Sequence, residues 1–308
     1  MKPLILTLLL ALLAVSVVQA QTATPTACSA RPAVAAGESR HTLVSHNQRR
    51  EYLRYVPPSY DPTQPTPLVI VLHGIISDGA QIRDFTGWND YADEHNLIVV
   101  YPESAFAPDL FVFFPLPEDT EDPVDDVRFI DNLLTPLRHD LCIDSQRIYV
   151  SGFSAGGAMA LLLACRLPDD IAAVGVMAAS YIAPLDDPTW CAPDVPIPLI
   201  AFQGRADPIV PYDGGAAFGY ALIGFETWTA GWAARSGCDA APETLDTVEA
   251  VDGRRYTGCA ADVVTYSIDD AGHAWAGGEP PPGTRRVTAL NATELMWAFF
   301  SEHPKEDL

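Results

Sequence analysis

The chain has 308 residues, of which 40 are acidic and 18 are basic, so its formal net charge is −22. So acidic a chain is not expected to bind nucleic acid in general or to dock on anionic membranes, because both partners are themselves polyanions. A hydrophobic content of 48% and six tryptophans exclude a disordered chain. The length allows either one large domain or two small ones.

Residues 1–20 have the pattern of a secretory signal peptide. Lys2 precedes an apolar run of about 15 residues, and Ala20 ends a plausible cleavage site. The run is short for a membrane-spanning helix, which needs roughly 20 apolar residues. A lipoprotein signal cleaved before Cys28 is the alternative, but a proline occupies the position where an aliphatic residue is required. We therefore expect a secreted chain, extracellular or periplasmic, with residues 21–40 as a surface lead-in.

Export changes the expected role of the cysteines. Oxidising compartments favour disulfides over metal ligation, and the chain contains no Cys-x-x-Cys pair that would indicate zinc. Disulfides are therefore expected among the six cysteines, which are Cys28, Cys142, Cys165, Cys191, Cys238 and Cys259.

Beyond residue 50, short apolar runs alternate with stretches of helical pattern. The predicted strands are Leu68–Leu72, Leu97–Tyr101, Arg147–Ser151, Ala172–Ala179, Pro198–Gln203 and Val263–Ile268. The predicted helices are Val124–Arg138, Ala155–Arg166, Phe225–Ser236 and Ala289–Glu302. This alternation predicts an α/β fold whose mostly parallel sheet is covered by helices on both faces.

No linker divides the chain into two composition regimes, so residues 41–308 are expected to form a single catalytic domain. Two stretches within it are too irregular or too polar for a confident element and are predicted to be loops, namely Pro108–Pro123 and Ala241–Tyr256.

The strongest local motif is Gly152-Phe153-Ser154-Ala155-Gly156. A predicted strand leads directly into it and a predicted helix leads directly out, which is the arrangement of a nucleophile elbow. Glycines are needed there because the serine adopts a strained backbone conformation in a tight turn. The alternative is a glycine-rich turn whose serine is idle.

A serine nucleophile needs a base, and the base needs an orienting acid. In this type of fold the acid follows the serine in the chain, and a histidine, the base, follows the acid. His273 follows the last predicted strand, whereas His303 lies in a charged tail and is expected to be solvated. Asp207 follows the predicted strand Pro198–Gln203, which lies between Ser154 and His273 in the chain, and it is the expected acid. Asp213 is the alternative. The carboxyl ends of parallel strands meet at one edge of a sheet, where ligands bind.

Two backbone amides are expected to hold the oxyanion of the reaction. The amide of Ala155 lies at the start of the predicted helix, where helical amides have no partner within the helix. The amide of Ile75 follows an early strand, and Gly74 allows the backbone to approach closely. His73 is expected to pack beneath the site and not to act as a second base.

Taken together, these residues resemble the polyhydroxybutyrate depolymerase and feruloyl esterase branch of the α/β-hydrolases. The resemblance covers roughly residues 50–300 in the family's order. It rests on Tyr52–Asp61, Leu72-His73-Gly74, Val99–Pro102, Val124–Val127, Arg147–Gly157, Ala206–Pro211 and Gly272-His273-Ala274-Trp275. It implies an α/β-hydrolase fold and a secreted serine esterase with Ser154, Asp207 and His273 as the catalytic triad, and it implies a Cys238–Cys259 disulfide.

Four cysteines then remain. If the predicted strand Arg147–Ser151 is followed by an antiparallel helix of similar length, Cys142 and Cys165 end on the same side of the sheet. We therefore predict the pair Cys142–Cys165, which leaves Cys28–Cys191.

Departures from the family pattern concern the substrate. Ile75 stands where depolymerases often have cysteine, and Ala276 stands where the family usually has proline. Aromatic residues near the predicted site are expected to bind the acyl group, with Trp275 first and then Trp88, Phe111, Phe113 and Phe114.

The expected function is hydrolysis of a small or oligomeric ester, with aryl or hydroxycinnamoyl esters first and polyhydroxybutyrate or another polyester as the alternative. The substrate can be free or attached to polysaccharide or polyester. A non-catalytic secreted binding protein on the same fold is a distant alternative. No metal and no organic cofactor are expected, because a serine triad needs neither.

Overall fold

The structure is a computed structural model that describes residue 28 and residues 31–105, 125–180, 195–217, 220–280 and 285–305. The predicted signal peptide, most of the predicted loop Pro108–Pro123, and Cys191 lie outside the described residues. Among the described residues, no helix is both long and apolar enough to cross a bilayer.

The framework is a ten-stranded sheet, and a separate hairpin of two strands accompanies it. In chain order the strands are β1 (Gly37–Ser45), β2 (Gln48–Val56), β3 (Thr66–Leu72), β4 (Ile98–Pro102), β5 (Ile143–Phe153), β6 (Ala173–Met177), β7 (Leu199–Gly204), β8 (Gly214–Ala217), β9 (Tyr220–Ile223), β10 (Glu243–Thr244), β11 (Val251–Tyr256) and β12 (Val263–Ile268). The helices are α1 (Gly79–Thr86), α2 (Trp88–His95), α3 (Asp126–Asp140), α4 (Ala155–Arg166), α5 (Phe225–Arg235) and α6 (Ala292–Glu302).

The order of strands across the large sheet is β1-β2-β4-β3-β5-β6-β7-β12-β11-β10. The six central strands, from β4 to β12, run parallel. The outer strands on each side pair antiparallel. The predicted parallel sheet is therefore the middle of a larger mixed sheet.

The sheet separates two hydrophobic cores. Along β3, Leu68, Ile70 and Leu72 face one core while Val69 and Val71 face the other, as expected for side chains that alternate along a strand. Helices α3, α4 and α5 cover the first face, and α1, α2 and α6 cover the second. Both faces of the central strands are thus buried, which explains their nearly continuous apolar sequences.

Two elements at the edges of the sheet differ from the predictions. The stretch Ala241–Tyr256 was predicted to be a loop, but it contains β10 and β11, and β11 pairs along its whole length with β12. The predicted lead-in ends early, because β1 begins at Gly37 and pairs with β2. These strands are rich in polar residues, so they lack the apolar runs from which the central strands were predicted. Each forms by antiparallel pairing with the strand next to it in the chain.

The disulfide prediction for Cys142 is wrong. Cys142 is bonded to Cys28, with 5.8 Å between their Cα atoms. This excludes both Cys142–Cys165 and Cys28–Cys191, and Cys165 is itself disulfide-bonded. Cys28 reaches Cys142 because the segment before β1 passes the end of α3, where Arg31 donates to the His139 carbonyl at 3.2 Å. Strand and helix lengths carry no information about that segment. The structure also contains the Cys238–Cys259 disulfide that the resemblance implies.

Candidate active site

Ser154 occupies the sharp turn between β5 and α4. Its φ of 57° and ψ of −123° lie in a region that residues other than glycine rarely adopt. The glycines around it make room for the turn: a Cβ atom on Gly152 would lie 2.2 Å from the carbonyl oxygen of Gly156, and one on Gly156 would lie 2.3 Å from that of Leu72. The strain therefore persists because the surrounding backbone is packed too tightly for the serine to relax.

The three residues predicted to form a triad lie within hydrogen-bond distance of one another. His273 Nε2 is 3.0 Å from Ser154 Oγ, and His273 Nδ1 is 2.8 Å from Asp207 Oδ2. Each follows the carboxyl end of a different parallel strand, namely β5, β7 and β12. The alternative acid Asp213 is exposed, and His303 instead approaches Phe299 and Asp262.

The Asp207 carboxylate is fully buried and is held by several donors. Its Oδ1 accepts from the amides of Ile209 at 2.8 Å and Val210 at 2.9 Å, and its Oδ2 accepts from Gln203 Nε2 at 3.2 Å. Gln203 Nε2 also donates to the Val210 carbonyl at 2.8 Å. Sequence analysis does not single out Gln203, although its place as the penultimate residue of β7, four residues before Asp207, is a usable signal.

The loop after β3 lies directly against the serine. A Cβ atom on Gly74 would lie 3.2 Å from Ser154 Cβ, so only a residue without a side chain fits there comfortably. His73 is buried beneath this loop, where its Nε2 accepts from the Ser104 amide at 3.3 Å. Because Nε2 is an acceptor, Nδ1 carries the proton and donates to the Gly74 carbonyl at 2.8 Å. His73 thus bonds the loop that carries Ile75.

The amides expected to hold an oxyanion lie on both sides of Ser154. Ala155 is the first residue of α4, and Ile75 lines the same pocket as Ser154. Amides in the first turn of a helix have no acceptor within that helix, so the Ala155 amide is available to a ligand. Within the described residues, no group of three or more His, Cys, Asp or Glu side chains is arranged to hold a metal ion.

A pocket of about 430 Å³ opens beside Ser154 and His273. Its other lining residues are mostly apolar and come from the loop after β3, from α1, from the elbow and from the loop after β7; they are Gly74, Ile75, Ile76, Ser77, Gln81, Ile82, Phe85, Phe153 and Ile209. The rings of Phe85 and Phe153 meet edge to face with centroids 5.0 Å apart. An uncharged ester with an apolar group suits this lining.

The tryptophans predicted to contact substrate do not line this pocket. Trp275 is 1% exposed and donates from its indole to Thr293, and Trp88 is fully buried and stacks on Phe300. Both belong to the core between the sheet and the second helical layer. An indole has a large apolar surface, so it is stabilised by burial in the core. Phe153, which lines the pocket, lies against Trp275, with ring centroids 6.4 Å apart. Phe111, Phe113 and Phe114 lie outside the described residues.

The chain resembles known esterases in sequence and in fold. The family model described as "Esterase PHB depolymerase" matches residues 50–187. A feruloyl esterase B of Piromyces equi is 27% identical over 237 residues, which are 75% of this chain and 44% of that protein. A probable feruloyl esterase C of Aspergillus niger is 27% identical over 284 residues, which are 89% of each chain. The chain therefore spans less than half of the first relative and most of the second.

Among solved structures, an acetyl xylan esterase from Aspergillus awamori matches with a TM-score of 0.60 and 14% identity, covering 85% of this chain and 99% of that one. The chain has the α/β-hydrolase fold. The resemblance that the motifs indicate is likewise confirmed, and the comparisons support a carboxylic ester hydrolase. In this fold, Ser154 stands at the sharp turn between β5 and α4.

Proposed function

We propose that the chain is a secreted serine esterase that cleaves aryl or hydroxycinnamoyl esters through an acyl-enzyme. The observation that carries this proposal is the continuous hydrogen-bonded series Ser154–His273–Asp207, with separations of 3.0 and 2.8 Å. Such a series converts a weakly nucleophilic hydroxyl into a competent one, because the proton has an acceptor already in place.

Ser154 Oγ attacks the ester carbonyl carbon while His273 Nε2 takes its proton. Asp207 accepts from His273 Nδ1, which keeps the ring in the tautomer that leaves Nε2 free to accept, and it stabilises the imidazolium that forms. His273 then returns the proton to the departing alcohol. Water repeats the two steps on the acyl-enzyme and regenerates Ser154.

The amides of Ile75 and Ala155 would bind the negative oxygen of each tetrahedral intermediate. Donors of this type lower the barrier by about 3 kcal/mol each, because they are aimed at the charge before it develops. The position of Ser154 supports this arrangement, since Ser154 directly precedes α4 and the Ala155 amide is the first of that helix.

The substrate class rests on the pocket and on the relatives' names. The mostly apolar walls next to Ser154 suit an aryl or alkyl acyl group, and two of the relatives are named as feruloyl esterases. The match to a depolymerase family model favours one alternative, hydrolysis of polyhydroxybutyrate or another polyester. The aryl or hydroxycinnamoyl ester of the main proposal can be free or attached to polysaccharide. Secretion is proposed from the signal-peptide pattern and is consistent with the disulfides.

Replacement of the nucleophile tests the proposal. Ser154→Ala is expected to lower kcat for 4-nitrophenyl acetate by at least about 10³-fold, since the acyl-enzyme can no longer form. The same variant should lose labelling by a fluorophosphonate probe. Ser301→Ala is the matched control, because Ser301 is an exposed residue of α6. Ester hydrolysis by Ser154→Ala at nearly the wild-type rate would refute the proposal.

Parallel kinetics on methyl ferulate and on a 3-hydroxybutyrate oligomer distinguish the two substrate classes. The first proposal expects a higher kcat/KM for methyl ferulate. A clear preference for the hydroxybutyrate oligomer would establish the alternative instead.

A further inference from the structure

Ile76 combines two unusual properties at the mouth of the pocket. Its φ is 58°, a left-handed conformation that is a rare outlier for a β-branched residue. Its side chain is 74% exposed although it is large and apolar. Neither property favours folding, because an asparagine or glycine would adopt the same backbone with less strain and would expose no apolar surface. A residue that is unfavourable in both respects and lines the pocket indicates a role in binding.

Exposed large apolar side chains are concentrated at this pocket. Among the described residues there are four, and two of them, Ile76 and Ile209, line it. Ile209 is 40% exposed. Apolar side chains left exposed around a cavity mark a surface that a ligand covers. The other two, Val44 and Val248, do not line the pocket.

The strand order places the two isoleucines on opposite sides of Ser154. Ser154 follows β5, and in the sheet β3 lies on one side of β5 while β7 and β12 lie on the other. Ile76 belongs to the loop after β3, next to the start of α1. Ile209 belongs to the loop after β7, which also carries Asp207.

The chemistry of the proposed reaction assigns each side to one half of the ester. His273 must protonate the departing alcohol oxygen, so the alcohol lies toward the β7 and β12 side. The acyl group remains bonded to Ser154 and extends the other way, toward the loop after β3 and α1. The walls there are apolar, with Ile82 and Phe85 from α1, and the polar groups Ser77 and Gln81 are uncharged.

We propose that Ile76 is a specificity-determining residue that covers the acyl group of the substrate, and that Ile209 covers the alcohol group. This rests on the proposed esterase function. The acyl groups selected are uncharged and apolar, as the walls are, and longer than acetyl, because a pocket of about 430 Å³ is several times larger than an acetyl group.

The test uses two ester series and three variants. The acyl series consists of the 4-nitrophenyl esters of acetate, butyrate and octanoate; the alcohol series consists of the methyl, butyl and octyl esters of butyric acid. Ile76→Asn should lower kcat/KM for the octanoate ester about tenfold while changing that for the acetate less than twofold. Ile209→Asn should act on the alcohol series instead. Val248→Asn is the matched control, and it should leave both series unchanged.

Thermal unfolding distinguishes a substrate contact from damage to the fold. Asparagine tolerates the left-handed conformation, so the melting temperature of Ile76→Asn should be no lower than that of the wild type. Ile76→Gly provides a second variant with the same expected kinetics. Three outcomes would overturn the assignment: an equal loss of kcat/KM for the acetate and the octanoate esters, no loss of kcat/KM, or a change confined to the alcohol series.

Failure of this assignment is separable from failure of the proposed function. If Ser154→Ala inactivates the enzyme while Ile76→Asn leaves the acyl preference unchanged, the esterase proposal stands and the role of Ile76 falls. If Ser154→Ala remains active, both fall.

Discussion

At the scale of single residues, the candidate acid is held in place by several hydrogen-bond donors. Asp207 accepts two backbone amides and one side-chain amide while its carboxylate is fully buried. The Gln203 side chain can have only one orientation, because its nitrogen donates both to Asp207 and to the Val210 carbonyl. We therefore expect Gln203 to affect the proposed reaction through Asp207, as a positioning residue.

Gln203→Met removes the donor and keeps the length of the side chain. We expect kcat to fall about tenfold, in line with the loss of one hydrogen bond to a charged group, while KM changes less than twofold because Gln203 does not line the pocket. Steady-state kinetics on one ester measure both. Gln64→Met, at an exposed glutamine, is the control. An unchanged kcat would show that the backbone amides alone hold Asp207.

At the scale of elements, an ion-pair cluster ties β11 to the loop that carries Asp207. Arg205 follows β7 directly, and its guanidinium contacts Asp252 of β11 at 3.1 Å and Asp269 at 3.1 Å. It also lies over the ring of Tyr212, 4.6 Å from the centroid. Arg254 donates to the same Asp252 at 2.7 Å. The cluster thus joins the antiparallel edge of the sheet to the site.

The hydrogen bond from Arg254 holds the pKa of Asp252 below its ordinary value of 3.8, with a further contribution from Arg205. Since the folded-state pKa is the lower one, the carboxylate stabilises the fold at neutral pH and loses this effect as the pH falls below 3.8. Asp252→Asn should therefore lower the free energy of unfolding by at most about 1 kcal/mol at pH 7, because the pair is partly exposed.

Urea denaturation of wild type and Asp252→Asn at pH 7 and pH 3 measures this effect. The difference between the two proteins should shrink at the lower pH. Asp246→Asn, at an exposed residue between β10 and β11, is a control for removing one negative charge from an acidic protein. A difference of the same size at both pH values would contradict the ionic explanation.

At the scale of the whole molecule, the two disulfides among the described residues close loops of very different length. Cys28–Cys142 joins residues 114 apart and ties the segment before β1 to the start of β5, whereas Cys238–Cys259 joins residues 21 apart. A crosslink that closes a longer loop removes more conformational entropy from the unfolded chain. The long-range disulfide is therefore expected to contribute more to stability.

We expect the double variant Cys28→Ser/Cys142→Ser to lose about 1.5 kcal/mol more unfolding free energy than Cys238→Ser/Cys259→Ser, from the logarithmic dependence on loop length. Urea denaturation of both variants under identical conditions provides the comparison. A larger loss for the Cys238 and Cys259 variant would show that local packing outweighs loop entropy.

Local signals in the amino-acid sequence were sufficient for the middle of the fold and for the three residues brought together at its edge. The glycines around Ser154 and the apolar run before it determine only the local backbone. The strand, the elbow and the helix could therefore be predicted from one short segment of sequence. The order of Ser154, Asp207 and His273 follows from where parallel strands end.

Other features were decided by packing between residues far apart in the chain. The pocket walls come from the loop after β3 and from α1, while Trp275 and Trp88 are drawn into the core behind Phe153. Cys142 pairs with Cys28 because the segment before β1 passes the end of α3, where Arg31 donates to the His139 carbonyl at 3.2 Å. Sequence spacing determines which end of a sheet a residue reaches; only the assembled layers determine which side chain it meets there.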